Sequence, residues 1–205
     1  MNFFRQIVQK PWVTVSATPE GPSDGAEYPL PSVMVGLRVF LGVVAVVFSL
    51  LTISYFGRMA YNDWRPLSDP ALLWLNTAML IASSIAFQQS LVAARRGSSS
   101  GVRDGLMVGG IFAVIFLIGQ LAVWRQLVGA GAFADTNPAN AFFYAITGLH
   151  ALHLLGGLVA WARTSIKLLA GSDLATLKLS VELCAVYWHF LLFIWLAMFG
   201  ILILT

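Results

Sequence analysis

The sequence predicts an all-α integral membrane protein, a bundle of five transmembrane helices. Three observations carry that reading. Of the 205 residues, 59% are apolar and only 10% charged, less than half the charged share of about 25% in ordinary soluble domains. So few charges cannot clothe a soluble fold. Five runs are free of charge over the roughly 17–25 residues that a bilayer demands: residues 39–57, 71–94, 105–124, 136–162 and 183–205. Finally, between Pro70 and the C-terminus the one proline is Pro138, at the mouth of the fourth run.

In hydrocarbon no water satisfies the backbone, so each run must be a helix. Barrel strands would instead alternate in polarity over about ten residues, which these runs do not. The expected helices cover about 36–59, 70–94, 104–126, 138–163 and 178–204, forming one domain over 34–205. The last begins ahead of its charge-free core and takes in Glu182. Ahead of them, residues 1–33 read as an extended cytoplasmic tail. Its stretch TPEGPSDGAEYPLPSV (18–33) is rich in Pro, Gly and acid and has no apolar period. Residues 1–10, MNFFRQIVQK, lack the apolar core of a signal peptide. GSSSG, residues 97–101, is expected to be a flexible cytoplasmic turn. Basic residues in the connections set the orientation. Arg5, Lys10, Arg38, Arg95, Arg96, Arg103, Arg163, Lys167 and Lys178 fall on one side, against Arg58, Arg65 and Arg125 on the other. Nine against three places the N-terminus in the cytoplasm and the C-terminus outside.

The remaining totals exclude function classes. A single cysteine, Cys184, permits no internal disulfide, Cys-rich metal site or iron–sulfur cluster. Three histidines allow at most one His-based metal site. Without a basic patch interleaved with aromatics, nucleic acid is excluded as a partner. A soluble enzyme and a disordered chain are excluded by composition.

The informative residues are those that lipid should reject, because a charge at bilayer depth costs about 2.5–3.5 kcal/mol on insertion scales. Glu182 is the acid that enters a span. Asn76, Thr77, Ser83, Ser84 and Gln88 lie on the second helix, with Thr77, Ser84 and Gln88 on one face. Gln120 lies on the third, one turn from Trp124. On the fourth, FFYAITGLHALHLLGGLVAW (142–161) sets His150 and His153 one turn apart, with the small residues Gly156, Gly157 and Ala160 after them. On the fifth, Glu182 and His189 stand two turns apart beside Tyr187, Trp188 and Trp195. A packing role joins such groups across helices, and a carboxylate and imidazoles on adjacent helices could pair. Other chemistries compete with it. Haem ligation needs axial ligands on both faces, whereas His150 and His153 share one side of one helix. A three-histidine copper or zinc site would consume all three histidines. A carboxylate-bridged di-iron centre needs several inward Glu residues and fails for want of them. A transporter favours inverted repeats and broken helices, which five unbroken spans do not offer.

Four segments then resemble one family in register. The run 142–160 carries the Thr-Gly-x-His-x-x-His-x-x-Gly-Gly pattern of cytochrome c oxidase subunit III. VELCAVYWHFLLFIWL (181–196) resembles its last helix, LNTAMLIASS (75–84) its Asn-Thr-x-x-Leu-x-x-Ser-Ser helix, and FLIGQ (116–120) its Phe-Leu-x-x-Gln helix. The resemblance covers all but the first helix and the tail, and five helices fit the shorter bacterial form. It implies a non-catalytic, non-redox subunit of a proton-translocating haem-copper terminal oxidase in the bacterial cytoplasmic membrane. Haem and copper would sit in partner subunits, the catalytic subunit I and the copper-bearing subunit II, and this chain would bind no cofactor except phospholipid. It would pack beside the catalytic subunit, support proton uptake and stable turnover during oxygen reduction, and join a larger respiratory supercomplex. His150, His153, Glu182, His189, Gln120 and Asn76 map onto family positions, and with Trp188 their implied roles are structural or lipid-facing, with no catalytic or metal-binding residue. The first helix lacks the family's frequent Glu, and Val123 and Leu192 replace acids often found there. That departure leaves room for an accessory subunit of a nitric oxide reductase-type complex, and a self-contained metal or haem protein is the more distant alternative.

Overall fold

The computed structural model describes residues 32–65, 71–171 and 173–204, with the backbone alone for residues 174–176. Five helices follow one another: α1 (Ser32–Met59), α2 (Leu72–Arg95), α3 (Ser99–Gly129), α4 (Pro138–Leu169) and α5 (Leu174–Leu204). Each is long and apolar enough to cross a membrane. The all-helical membrane bundle read from the sequence is therefore present. The expected tail lies outside the described residues, apart from Ser32 and Val33, which already belong to α1.

The helices overrun the charge-free runs because the two quantities differ physically. Hydropathy marks what hydrocarbon accepts, while backbone hydrogen bonding carries a helix on through the headgroup layer. Thus α3 takes in Arg103 and Asp104, and α4 continues past Arg163 and Lys167. The expected flexible GSSSG turn is also corrected. Gly97 adopts φ +75°, the left-handed conformation that ends a helix, and Ser98 N–H donates back to the Ala93 carbonyl at 3.0 Å. Ser98 then caps α3, its hydroxyl accepting from Gly101 N–H at 3.3 Å. Residues 99–101 are thus the first turn of a helix. At the other end Asn137 caps α4 ahead of Pro138. Its Nδ2 donates to the Arg65 carbonyl at 2.6 Å, tying the segment after α1 to the start of α4. There Arg58 forks onto Asp63, one of its two bonds measuring 2.7 Å. The guanidinium's hydrogen bond holds the Asp63 carboxyl below its ordinary range. Whatever this exposed pair contributes is present above that range and lost as pH falls through the lowered value.

α2, α3, α4 and α5 close into a ring in which each packs on its sequence neighbour and α5 returns to α2, while α1 lies outside against α4 and α5. The α2–α3 pair packs most extensively. Ser83 donates to the Gly109 carbonyl at 2.7 Å and Ser90 to the Val102 carbonyl at 3.1 Å. A Cβ on Gly105 would stand 2.7–2.8 Å from the Ser90 Cβ, Cα and N. Small residues are what permit two backbones to meet so closely in lipid. By contrast, α1 buries the single stripe Leu41, Val44, Phe48 and Tyr55.

Gly105→Val should force α2 and α3 apart, because backbone atoms cannot yield as a side-chain tip does. We expect a loss of about 3 kcal/mol or more, read as collapse of the monodisperse peak in detergent size-exclusion chromatography. Gly36→Val, where a Cβ meets nothing within 4 Å, should leave that peak unchanged.

Candidate functional site

Two features concentrate the polar side chains: a layer inside the helix ring and a cleft beside it. The layer is built where α2, α3, α4 and α5 face one another. Asn76 of α2 donates to Gln120 Oε1 of α3 at 3.5 Å, and a Cβ on Gly119 would run into the Asn76 amide. Next to it, Thr77 accepts from the Trp195 indole N–H of α5 at 2.9 Å. Thr147 of α4 accepts from Trp124 Nε1 of α3 at 3.0 Å. His150, one turn on from Thr147, is buried among rings: Trp195 at 5.0 Å, Phe116 at 5.9 Å and Phe48 at 6.4 Å between centroids. No protein partner reaches either ring nitrogen of His150 or Gln120 Nε2 among the described residues.

The other candidate residues separate from this layer. His153 is half-buried against Phe40 and Phe48 of α1, and its Nδ1 lies 2.8 Å from its own helix's Leu149 carbonyl. The two histidines, one turn apart, share Phe48, but His150 turns into the ring towards Phe116 and Trp195 while His153 turns towards Phe40 of α1. His189 meets Ser84 at Nδ1, while its Nε2 lies 2.9 Å from Gln88 Oε1. The expected face of α2 is therefore real: Thr77, Ser84 and Gln88 all address α5. Glu182 does not pair with an imidazole. It lies 3.6 Å from Arg95 with a third of its side chain exposed, because α5 extends far enough to bring it level with the basic end of α2. Trp188 is buried against Phe87 at 4.4 Å. Among the described residues, no group of three or more His, Cys, Asp and Glu is placed to hold a metal ion.

The cleft, about 570 Å³, lies between α1, α4 and α5. Gly36, Leu37 and Phe40 form one wall, and Gly156, Gly157 and Ala160 the floor, with Cys184, Tyr187 and Trp188 opposite. Arg163 and Lys167 stand at one end. The void exists because the floor lacks side chains. It also needs Tyr187 held down, and its hydroxyl donates to the His153 carbonyl at 2.8 Å. A Cβ on Gly157 would come within 2.6 Å of the Tyr187 ring and 2.8 Å of Trp188, whereas one on Gly156 would find only the Tyr187 hydroxyl at 3.9 Å. An apolar trough with two cations at one end matches an acyl chain with an anionic headgroup. In the sequence alone Arg163 and Lys167 read only as topology markers. The signal was available: Gly156, Ala160, Arg163 and Lys167 recur at helical spacing along one face.

Comparison with known proteins points to one family. The family model for Cytochrome c oxidase subunit III matches residues 59–204. The probable cytochrome c oxidase subunit 3 of Mycobacterium tuberculosis is 31% identical over 179 residues, spanning 83% of this chain and 86% of the relative. That of Nocardia farcinica is 29% identical over 175 residues, spanning 82% and 85%. The cytochrome c oxidase subunit 3 of Synechocystis sp. is 28% identical over 176 residues, spanning 81% and 72%.

Thr77→Val should strand the buried Trp195 N–H and lower unfolding stability by about 1–3 kcal/mol, while Thr77→Ser restores it. Gly157→Ala should cost about 1–3 kcal/mol by overpacking, and Gly156→Ala much less. Thermal unfolding of the purified protein in one detergent measures all four.

Proposed function

The chain belongs to the cytochrome c oxidase subunit III family, and from that premise we propose that it is the non-redox membrane subunit of a haem-copper terminal oxidase in a bacterial cytoplasmic membrane. Membership makes it a multi-pass subunit associated with other oxidase subunits of the respiratory chain. Its part is to pack against the catalytic subunit I, beside the copper-bearing subunit II, and to hold phospholipid that keeps proton uptake and turnover stable. The haem and copper belong to those partners. All the relatives compared carry the oxidase name, which favours oxygen over nitric oxide as the substrate of the complex.

The single observation that carries the lipid role is the cleft with Arg163 and Lys167 at its end. With the N-terminus cytoplasmic, as the nine-to-three distribution of basic residues supports, that end opens at the cytoplasmic surface. Anionic headgroups are attracted there by about 1 kcal/mol per basic side chain. His150, Gln120, Asn76 and Trp188 act by fixing helix positions, and Glu182 by pairing with Arg95 where hydrocarbon gives way to headgroups. His153 supports the wall that α1 leans on.

Affinity purification of the tagged complex tests the reading. Haem-containing subunits should accompany the chain, and a preparation without any haem protein would overturn it. Within that complex, Arg163→Gln with Lys167→Gln should weaken retention of anionic phospholipid on the order of thirtyfold, from about 2 kcal/mol, measured by mass spectrometry of extracted lipid. His150→Leu or Glu182→Leu should shorten sustained oxygen consumption or impair assembly while leaving the initial rate within about twofold. A fall of several powers of ten in initial rate, with the complex intact, would contradict the positioning role.

A further inference from the structure

At one depth on the outer surface of α2 and α5, polar side chains face outward where hydrocarbon should be. Gln88, Gln89 and His189 are all exposed, and Gln88 and His189 are joined by the 2.9 Å contact. Their depth follows from the Arg95–Glu182 ion pair, which marks the polar end of the same two helices. Gln88 lies seven residues before Arg95 and His189 seven after Glu182, so both sit about 10 Å inward at 1.5 Å per residue. About 24 Å of α2 and about 22 Å of α5 remain beyond them by the same rise. The patch is therefore well within a hydrocarbon core of about 30 Å.

Acyl chains cannot satisfy the amide groups that remain once His189 is bonded to Ser84 and Gln88, and polar groups at such depth normally face a bundle interior or a water-filled cavity or pair with one another. A serine escapes this, as Ser49 does on α1 by donating to its own helix at Ala45 O, 2.8 Å away. Glutamine and histidine instead need partners across helices. The neighbours on the face, Ile81, Ile85 and Phe193, are exposed and apolar. Beside the patch, a groove of about 320 Å³ passes Val92 and Ala93 to Arg96, so the surface is notched and not smooth.

We infer that this α2–α5 face is an interface where a transmembrane helix of a partner oxidase subunit packs, with an uncharged hydrogen-bond acceptor meeting the Gln88 amide that His189 holds in place. The occupant is uncharged because the patch offers amides and an imidazole without a net charge to neutralise. With Ser84 donating to Nδ1, His189 Nε2–H donates to the Gln88 carbonyl, and the amide NH2 remains for the partner. A second copy of this chain is disfavoured as occupant, since membership of the family already supplies other membrane subunits to pack against. The inference rests on the oxidase-subunit reading and adds which face is used.

Photo-cross-linking within the intact complex tests it without disturbing the polar groups. Benzoylphenylalanine replaces Ile85, one turn from Gln88, or Phe193, one turn from His189, and the tagged complex is irradiated in native membranes and then purified. Both positions should give a covalent adduct with another oxidase subunit, identified by mass spectrometry. Adducts with lipid alone, or with a second copy of this chain, in a complex that retains its haem subunits would overturn the interface and leave the functional reading standing. A preparation lacking haem subunits would overturn both.

Discussion

Hydrocarbon gives apolar helices no reason to associate, since a leucine is as well solvated by lipid as by another leucine. The arrangement of this bundle therefore depends on hydrogen bonds between helices and on glycines that let them approach. Trp161 donates to the Leu106 carbonyl at 2.7 Å, and a Cβ on Gly110 would overlap that same indole. One glycine thus makes room for the ring that locks α3 to α4. Ser83 and Ser90 do the equivalent for α2 and α3, and Trp195 with Thr77 for α2 and α5. Closing the ring confines Phe116, His150 and Trp195 to its centre.

The same constraint explains where the bundle is open. α1 is bound by an apolar stripe, by ring contacts of Phe40, Phe48 and Tyr55, and by Thr52 against the Met198 sulfur at 3.6 Å, so it leans on α4 and α5 without sealing against them. Glycine has the opposite effect here. In the α2–α3 pair it brings backbones together, while in the floor beneath α1 Gly156 leaves space unfilled. Tight packing opposite and loose packing beside it together leave the cleft unfilled. The polar groups facing outward from α2 and α5 are the complementary case, a surface incomplete until another protein covers it.

Much of this was legible in the sequence, and the reasons are specific. Charge-free length revealed all five helices, because hydrocarbon penalises each charge wherever it falls. Helix ends were less legible, since Arg163 and Lys178 say where hydrocarbon stops and nothing about where backbone bonding stops. The helical spacing of Thr77, Ser84 and Gln88 revealed a shared face, yet not that α5 was its target. Glu182 misled for a related reason. Its inclusion in the last span suggested an acid at depth, but its neighbour is Arg95, from a helix whose relative height no local pattern records. The cleft was hidden because a void is the absence of side chains on three helices at once.

The role proposed for this chain is to steady an oxidase without carrying its chemistry. Its most direct measurement compares the complex with and without the chain, following oxygen consumption from the first turnovers to exhaustion in one lipid mixture. An unchanged haem spectrum and an initial rate within about twofold are expected, with several-fold fewer turnovers before activity decays when the chain is absent. Loss of the initial rate together with a changed haem spectrum would contradict it.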